Sequence, residues 1–472
     1  MIKQLLAFSV IFILTRVKLN AQLIKHQPNI IFIFADDLGY GDVGCYGQQK
    51  IKTPHIDALA TSGIKFTQFY SGSTVCGPAR ASLMTGLHTG HTPVRGNKTF
   101  EPEGQTPLPD SSVTLAMELQ KAGYNTAAMG KWSLGFITTS GAPSKKGFDT
   151  FFGYNCQSLA HNYYPDHLWD NDKRIDFQIN SASGMTYSAD LIQQKALDYI
   201  HQQDSSKPFF LYLPYTLPHV DLTPPHDSIY DYYVKLFNEQ PLKETDQRNL
   251  NKQFNELYPH AAFAAMVARL DKYVGEIVAA VVKKGIAENT VIIFTSDNGP
   301  HREKGGDPDF FNSHGVYRGI KRDLYEGGIR VPLLISWKGK IKPGQQTNHV
   351  TALWDFFPTF QHLAGRPVSK NIDGLSMLPL LFNKKQKKHG YLYWEFHESG
   401  GKQAVRWKKW KAVKLNVSTE KDETAELYNI DKDPAEKINR AIKNKRIVEK
   451  LEALMKEAHQ KNADWILFSR EK

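Results

Sequence analysis

Two apolar runs far apart in the chain end in the same way. Residues 29–34 read Asn-Ile-Ile-Phe-Ile-Phe and stop, one alanine later, at Asp36-Asp37-Leu38-Gly39. Residues 290–295 read Thr-Val-Ile-Ile-Phe-Thr and stop at Ser296-Asp297-Asn298-Gly299. A β-branched-rich run without polar alternation is apolar on both faces, the pattern of a strand buried inside a parallel sheet. Residues 126–129 and 209–213 supply further strand-like segments, and residues 113–121 and 261–284 space their apolar side chains as helices do. Strands alternating with helices predict an α/β fold, with a mostly parallel central sheet flanked by helices. In such sheets ligands bind beyond the carboxyl ends of the strands, where both acidic loops fall.

The two loops also share a chemistry. Neighbouring strand residues point to opposite faces, so Asp36 and Asp37 can serve one ion only if the chain has already left the strand, and Leu38-Gly39 permits that turn. An Asp pair after a strand commonly does no more than shape a turn. Joined by Asp297 and Asn298, it makes a set of four oxygen donors with no adjacent thiolate or imidazole. Such a hard set suits calcium or magnesium better than zinc, and one Ca2+ is the expectation.

A chain of 472 residues is long enough for one large domain and an appendage. After residue 366 the texture changes to short strand-like pieces at 391–396, 403–413 and 426–429, then a charged amphipathic helix near 439–460. We expect a large domain over 25–365 and a smaller C-terminal α+β subdomain, antiparallel sheet plus helix, over 366–472. Residues 218–259 are polar, aromatic and proline-bearing, and read as a long loop near the site.

The start of the chain stands apart. Lys3 precedes an apolar run from Leu5 to Leu14, and Leu19-Asn20-Ala21 ends in a small residue suited to signal peptidase. That run is about half of what a bilayer span requires, and Arg16 and Lys18 follow it. Residues 1–21 therefore read as a signal peptide and not a membrane span, which makes the protein exported, either periplasmic or extracellular. The formal charge of +11 falls to +8 when Lys3, Arg16 and Lys18 are removed. No basic-aromatic nucleic-acid motif accompanies this charge, so it fits a solvated surface or an anionic substrate and not a nucleic-acid partner. Cys45, Cys76 and Cys156 form an odd set that specifies no disulfide framework, with Cys45 and Cys156 left to pair or stay buried.

A lone cysteine is ordinarily a small buried hydrophobe. The neighbours of Cys76 change that reading. Cys76-Gly77-Pro78-Ala79-Arg80, followed by Ala81-Ser82-Leu83-Met84-Thr85-Gly86, resembles the C-x-P-x-R signature of the formylglycine-dependent sulfatases. The resemblance spans nearly the whole chain after the signal, with the motifs in the family's order. It implies an alkaline-phosphatase-like sulfatase fold, hydrolysis of sulfate monoesters, calcium, and oxidation of Cys76 to formylglycine by a maturase that reads Pro78 and Arg80. On this resemblance Asp36, Asp37, Asp297, Asn298 and the converted Cys76 hold the metal, and Arg80 steadies the converted side chain. Lys131 in Gly130-Lys131-Trp132 and Lys321 in Arg318-Gly319-Ile320-Lys321 grip the sulfate, and His219 faces the leaving oxygen.

The reaction needs these residue types. A sulfate ester is anionic and repels an anionic nucleophile unless cations neutralise it. The hydrated aldehyde offers one hydroxyl to attack sulfur while His219 protonates the departing oxygen, and its second hydroxyl, on losing a proton, expels sulfate. One position departs from the family pattern Gly-Lys-Trp-His-Leu-Gly: here Ser133 stands where the histidine that deprotonates the intermediate belongs. His161 is a candidate substitute or a substrate contact. The same segment, with Asn155-Cys156-Gln157, resembles bacterial carbohydrate sulfatases, some acting on galacto-configured sugars sulfated at the 4-position.

A sulfated glycan is thus the expected substrate, with Tyr163, Tyr164, Trp169 and Trp394 available to stack on sugar rings. Glu395 and His397 are candidate sugar contacts from the small subdomain, beside the plainer reading of an edge strand of alternating character. Two other functions fit the same motifs. One is phosphonate or phosphate ester hydrolysis, and the other is sulfated-glycan binding without turnover, suggested by Ser133.

Overall fold

The computed structural model describes residues 26–101, 103–177, 186–242, 256–419 and 424–471. The expected signal peptide lies outside the described residues, as do 243–255 of the expected loop. Ten strands form the large sheet: β1 (Asn29–Ala35), β2 (Ile64–Phe66), β3 (Asn125–Lys131), β4 (Thr150–Tyr154), β5 (His167–Asp170), β6 (Lys173–Asp176), β7 (Phe209–Pro214), β8 (Thr290–Ser296), β9 (Leu333–Trp337) and β10 (Gln345–Thr347). Their order is β10-β2-β9-β8-β1-β7-β3-β4-β5-β6. The middle five, β8-β1-β7-β3-β4, run parallel, while β9 on one side and β5 and β6 on the other are antiparallel to their neighbours.

The two apolar runs pair directly, with Ile31 opposite Ile292, Phe34 opposite Thr295 and Ala35 opposite Ser296. Period-two alternation sends the side chains of β1 into two separate cores. Ile31, Ile33 and Ala35 join the helices Pro54–Ser62, Ser188–Gln202 and Pro259–Lys283 on one face. Ile30, Phe32 and Phe34 join Cys76–Thr85, Leu115–Lys121 and Phe356–Leu363 on the other. Because β1 and β8 pair without a shift, their ends coincide, and the two acidic loops leave the sheet side by side.

The smaller sheet contains β11 (Leu392–Phe396), β12 (Lys402–Trp407), β13 (Trp410–Leu415) and β14 (Glu426–Asn429), all antiparallel. One face packs through Leu392, Trp394 and Val413 onto Tyr70, Leu324 and Trp354 of the large domain. The other is covered by Val448, Leu451 and Met455 of the helix Lys445–Ala458. The large core continues past residue 366, since Met377, Leu378 and Leu381 lie in the same cluster as Phe356, and the small sheet begins only at Leu392. Cys45, Cys76 and Cys156 are all free thiols. No helix among the described residues is long and apolar enough to cross a membrane.

Candidate active site

The helix Cys76–Thr85 begins on the cysteine, and all ten of its residues are buried. Pro78 falls in its first turn, where no intrahelical N–H is needed. Gly86 ends it in the left-handed region at φ 72°, donating its N–H to Ser82 O at 2.9 Å. Cys76 and Arg80 lie one turn apart and so share a face. Gly77 sits against Asn97 so closely that a Cβ would collide with its Oδ1, which accepts from the Gly77 N–H at 3.1 Å. Asn97 also places Nδ2 3.8 Å from the Cys76 sulfur and holds Gln157 at 3.0 Å, so both residues brace the start of this helix.

The chain has left β1 where the acid pair begins: Asp37 takes φ 60°, which lets both carboxylates turn to one side. Its N–H donates to Asp297 Oδ1 at 3.1 Å, and its Oδ1 accepts from Asn298 Nδ2 at 2.7 Å. Three buried cations close on these acids. Lys131 donates to Asp36 Oδ2 at 2.6 Å, Arg80 reaches Asp36 at 3.3 Å and Asp297 at 2.9 Å, and Lys321 donates to Asp37 Oδ2 at 2.8 Å. Arg80 also donates to the Lys131 carbonyl at 2.6 Å, fixing the end of β3.

Burial works against the charge of Asp36, yet Lys131, His219 and Arg80 hold its carboxyl down at about 2. Burial, with Asp36 nearby, instead pushes Asp297 up to about 7 despite Arg80. Burial also raises the Cys76 thiol, so as a plain cysteine it is a poor nucleophile here.

These residues fit a hard cation. Ligand atoms of Asp36, Cys76 and Asp297 lie within 4.8 Å of one another, as do those of Asp36, Asp37 and His219. Asp36 Oδ1 and Asn298 Oδ1 are buried and have no hydrogen-bond partner among the described residues, a costly state that a cation relieves. Three carboxylates against three side-chain cations balance, so a divalent ion leaves the cluster positive and ready for an anion.

His219 stands beside this cluster. Its Nδ1 lies 2.6 Å from Val220 O and so carries the proton, leaving Nε2 as an acceptor 3.0 Å from Lys321 Nζ. Burial and Lys321 push its pKa well below the usual value. His161 stacks on it, with ring centroids 4.7 Å apart and planes within 11°, and burial with Lys131 and Lys321 lowers its pKa to about 4. Ser133 is buried with φ 65° and a hydroxyl without a partner among the described residues.

Several expected contacts are redirected. Glu395 is fully buried, and its carboxylate accepts from Arg95 at 2.8 Å, Tyr393 at 2.8 Å, His397 at 2.9 Å and His459 at 2.7 Å. It ties the small sheet to the large domain with its oxygens taken by protein donors, while His397 gives it one nitrogen and leaves the other, Nδ1, without a partner among the described residues. Of the four aromatics expected to stack on sugars, Tyr163 and Trp394 are wholly enclosed, and Tyr164 and Trp169 nearly so. Tyr163 donates to Thr216 O and Trp394 to Ser71 O, so these rings are core.

Sequence reasoning missed Asn97, Gln157 and His301. His301 is buried, its ring 6.1 Å from that of His219, with Nδ1 accepting from the Glu303 N–H and Nε2 without a partner among the described residues. Its place directly after Asp297-Asn298-Gly299-Pro300 is a signal that could have found it.

Known proteins match this sequence and fold. The sulfatase family model matches residues 28–366, and the model of the N-sulphoglucosamine sulphohydrolase C-terminal region matches residues 313–463. Human N-acetylgalactosamine-6-sulfatase is 32% identical over 373 residues, covering 75% of this chain and 66% of that protein. Human arylsulfatase A is 32% identical over 470 residues, covering 88% of this chain and 84% of the relative. The crystal structure of Ps i-CgsB in complex with k-i-k-neocarrahexaose superposes with a TM-score of 0.77 at 29% identity, covering 94% of this chain and 96% of that one. With an alkaline-phosphatase-like sheet, a buried helix that begins on a cysteine and this acid-and-lysine cluster, the chain belongs to the sulfatase family of sulfuric ester hydrolases.

Proposed function

We propose that this protein releases sulfate from an O-sulfated carbohydrate, using one calcium ion and a Cys76 converted to formylglycine by a maturase, and that it acts outside the cytoplasm after losing residues 1–21. The observation that carries this reading is the convergence of Arg80, Lys131 and Lys321 on Asp36, Asp37 and Asp297 beside Cys76. Galacto-configured sugars lead the substrate class: one relative is named N-acetylgalactosamine-6-sulfatase, and another structure holds k-i-k-neocarrahexaose.

Asp36, Asp37, Asp297 and Asn298 would hold the calcium, which when bound neutralises sulfate and, with the converted side chain, supplies the nucleophile. The remaining work falls to this chain's own residues. Lys131, on Asp36, and Lys321, on Asp37, orient the sulfate oxygens. Lys321 and His219, in contact at 3.0 Å, deliver the proton that the leaving sugar oxygen requires. His161 is neutral and lies against His219, so it can accept a proton in the later step, the task left open by Ser133. The test is sulfate release from a panel of monosaccharides and oligosaccharides sulfated at defined positions, 4 and 6 included, using protein whose Cys76 conversion is verified by mass spectrometry. Release from none of them, with faster turnover of an aryl phosphate, would overturn the reading.

A further inference from the structure

We propose that a cleft at the far end of the small sheet is a second binding site, which holds a sulfated polysaccharide chain away from the catalytic centre. The choice of occupant rests on the carbohydrate reading above. The cleft has a volume of about 670 Å³ and lies between the β12–β13 hairpin and the large-domain segments around Gln68 and Val350. Trp407 and Trp410 pair across the two-residue turn Lys408-Lys409, both half-buried against the core under the C-terminal helix. Tyr391 adds a third ring, and Asp431 is the one acidic residue in the wall.

A cross-strand tryptophan pair alone stabilises a hairpin and implies no ligand. What hairpin stability does not require is the ring of cations around it. Lys388, Lys408 and Lys409 line the cleft and are exposed. Lys408 Nζ stands 4.7 Å from the centre of the Trp407 ring and Lys409 Nζ 5.8 Å from that of Trp410, while Lys450 approaches Trp407 from the helix at 4.4 Å. Tryptophan rings with ammonium groups standing over them combine apolar surface with positive charge, the complements of a sulfated sugar's C–H face and its anionic sulfate. Arg406, on the face of the strand opposite Trp407, also lines the cleft and is already engaged with Tyr70 and Gln68.

The cleft is separate from the catalytic pocket. At the opposite end of β12, Lys402 Nζ donates to the carbonyl of Arg322, next to Lys321, at 2.7 Å. Trp407 stands five residues farther along the same strand, about 17 Å away at the usual rise. A polymer bound in the cleft is thereby kept near the pocket while its small fragments gain nothing from it.

The test pairs two variants, Trp407→Ala/Trp410→Ala and Lys388→Glu/Lys409→Glu; the second changes only exposed side chains and leaves the packing alone. Affinity electrophoresis in dextran sulfate, dextran and single-stranded DNA reads binding, and sulfate release from a small aryl sulfate reads the catalytic centre. We expect the wild type to be retarded by dextran sulfate only, and both variants to bind it about tenfold more weakly with small-ester turnover unchanged. Unchanged retardation of the charge-reversal variant would overturn the site. So would equal retardation of the wild type by DNA, which would mark a general polyanion surface. Should the wild type release no sulfate from any sugar yet bind dextran sulfate through the cleft, the carbohydrate-hydrolase reading fails and the site stands.

Discussion

Lys321 Nζ stands 3.0 Å from Nε2 of His219, while Nδ1 of the same ring is committed to the Val220 carbonyl. The imidazole is thus fixed in one tautomer with its basic nitrogen facing an ammonium, and on the proposed mechanism this pair supplies the proton to the leaving oxygen. His219→Ala should lower kcat/KM on an alkyl sugar sulfate by about a hundredfold or more, and far less on a nitroaryl sulfate whose leaving group needs no proton. Equal losses on both substrates would exclude the acid role.

His161 predicts the opposite pattern. If it accepts a proton after the leaving group has gone, His161→Ala should reduce kcat roughly a hundredfold on aryl and sugar sulfates alike. A loss confined to KM on sugars would make it a substrate contact instead.

Cys76→Ala should abolish sulfate release while the melting temperature stays near that of the parent, because the one hydrogen bond of the thiol among the described residues is a long one, to Asn97 at 3.8 Å. Full activity in that variant would disprove the mechanism.

Calcium and protons should compete at Asp297. Burial lifts its carboxyl from 3.8 to about 7 in the cation-free protein, so the fold retains a proton that the unfolded chain has released. The contribution of Asp297 to the stability of the calcium-free protein should therefore be complete below about pH 4 and fade as pH rises through about 7, against the opposite slope set by the buried His161 and His219. Added calcium should raise the melting temperature more at pH 8 than at pH 5, as scanning calorimetry with and without a chelator would read. Equal shifts at the two pH values would show that this carboxylate is not a ligand.

Lys411 holds the domains together from the interior. It is fully buried between Glu326 at 3.1 Å and Glu436 at 3.0 Å. Burial already pushes Glu436 up to about 7, so it can become neutral once its partner is gone, whereas Lys411, Arg330 and Arg406 hold Glu326 at about 2 against burial. Lys411→Met should cost roughly 3 kcal/mol in urea unfolding, at the lower end of the range for a broken buried ion pair. A change below about 1 kcal/mol would mean that the remaining arginines suffice.

The parts of this molecule that could be read in its sequence are those where local chemistry and long-range geometry agree. The runs at 29–34 and 290–295 are apolar all round because both faces are covered, and their acidic ends meet because the strands pair without a shift. Tyr163 and Trp394 misled because an aromatic ring in a loop-like or edge segment has the same local appearance whether it faces a sugar or a core; only the fold shows that their polar atoms are taken by Thr216 and Ser71. Glu395 belongs to the same class, since Arg95 and His459, which occupy it, come from distant parts of the chain. Asn97 was invisible because its importance lies in contact with a glycine, a residue that carries no pattern of its own.

The ten-residue enclosure of the helix that starts at Cys76 has a consequence for when this protein acquires its chemistry. A modifying enzyme, far bulkier than a sugar sulfate, meets only a buried residue at Cys76 once the domain has closed. On the proposed conversion of Cys76, the alteration would happen while the polypeptide is still open, and each molecule would be committed, before it closes, to a working or an inert life.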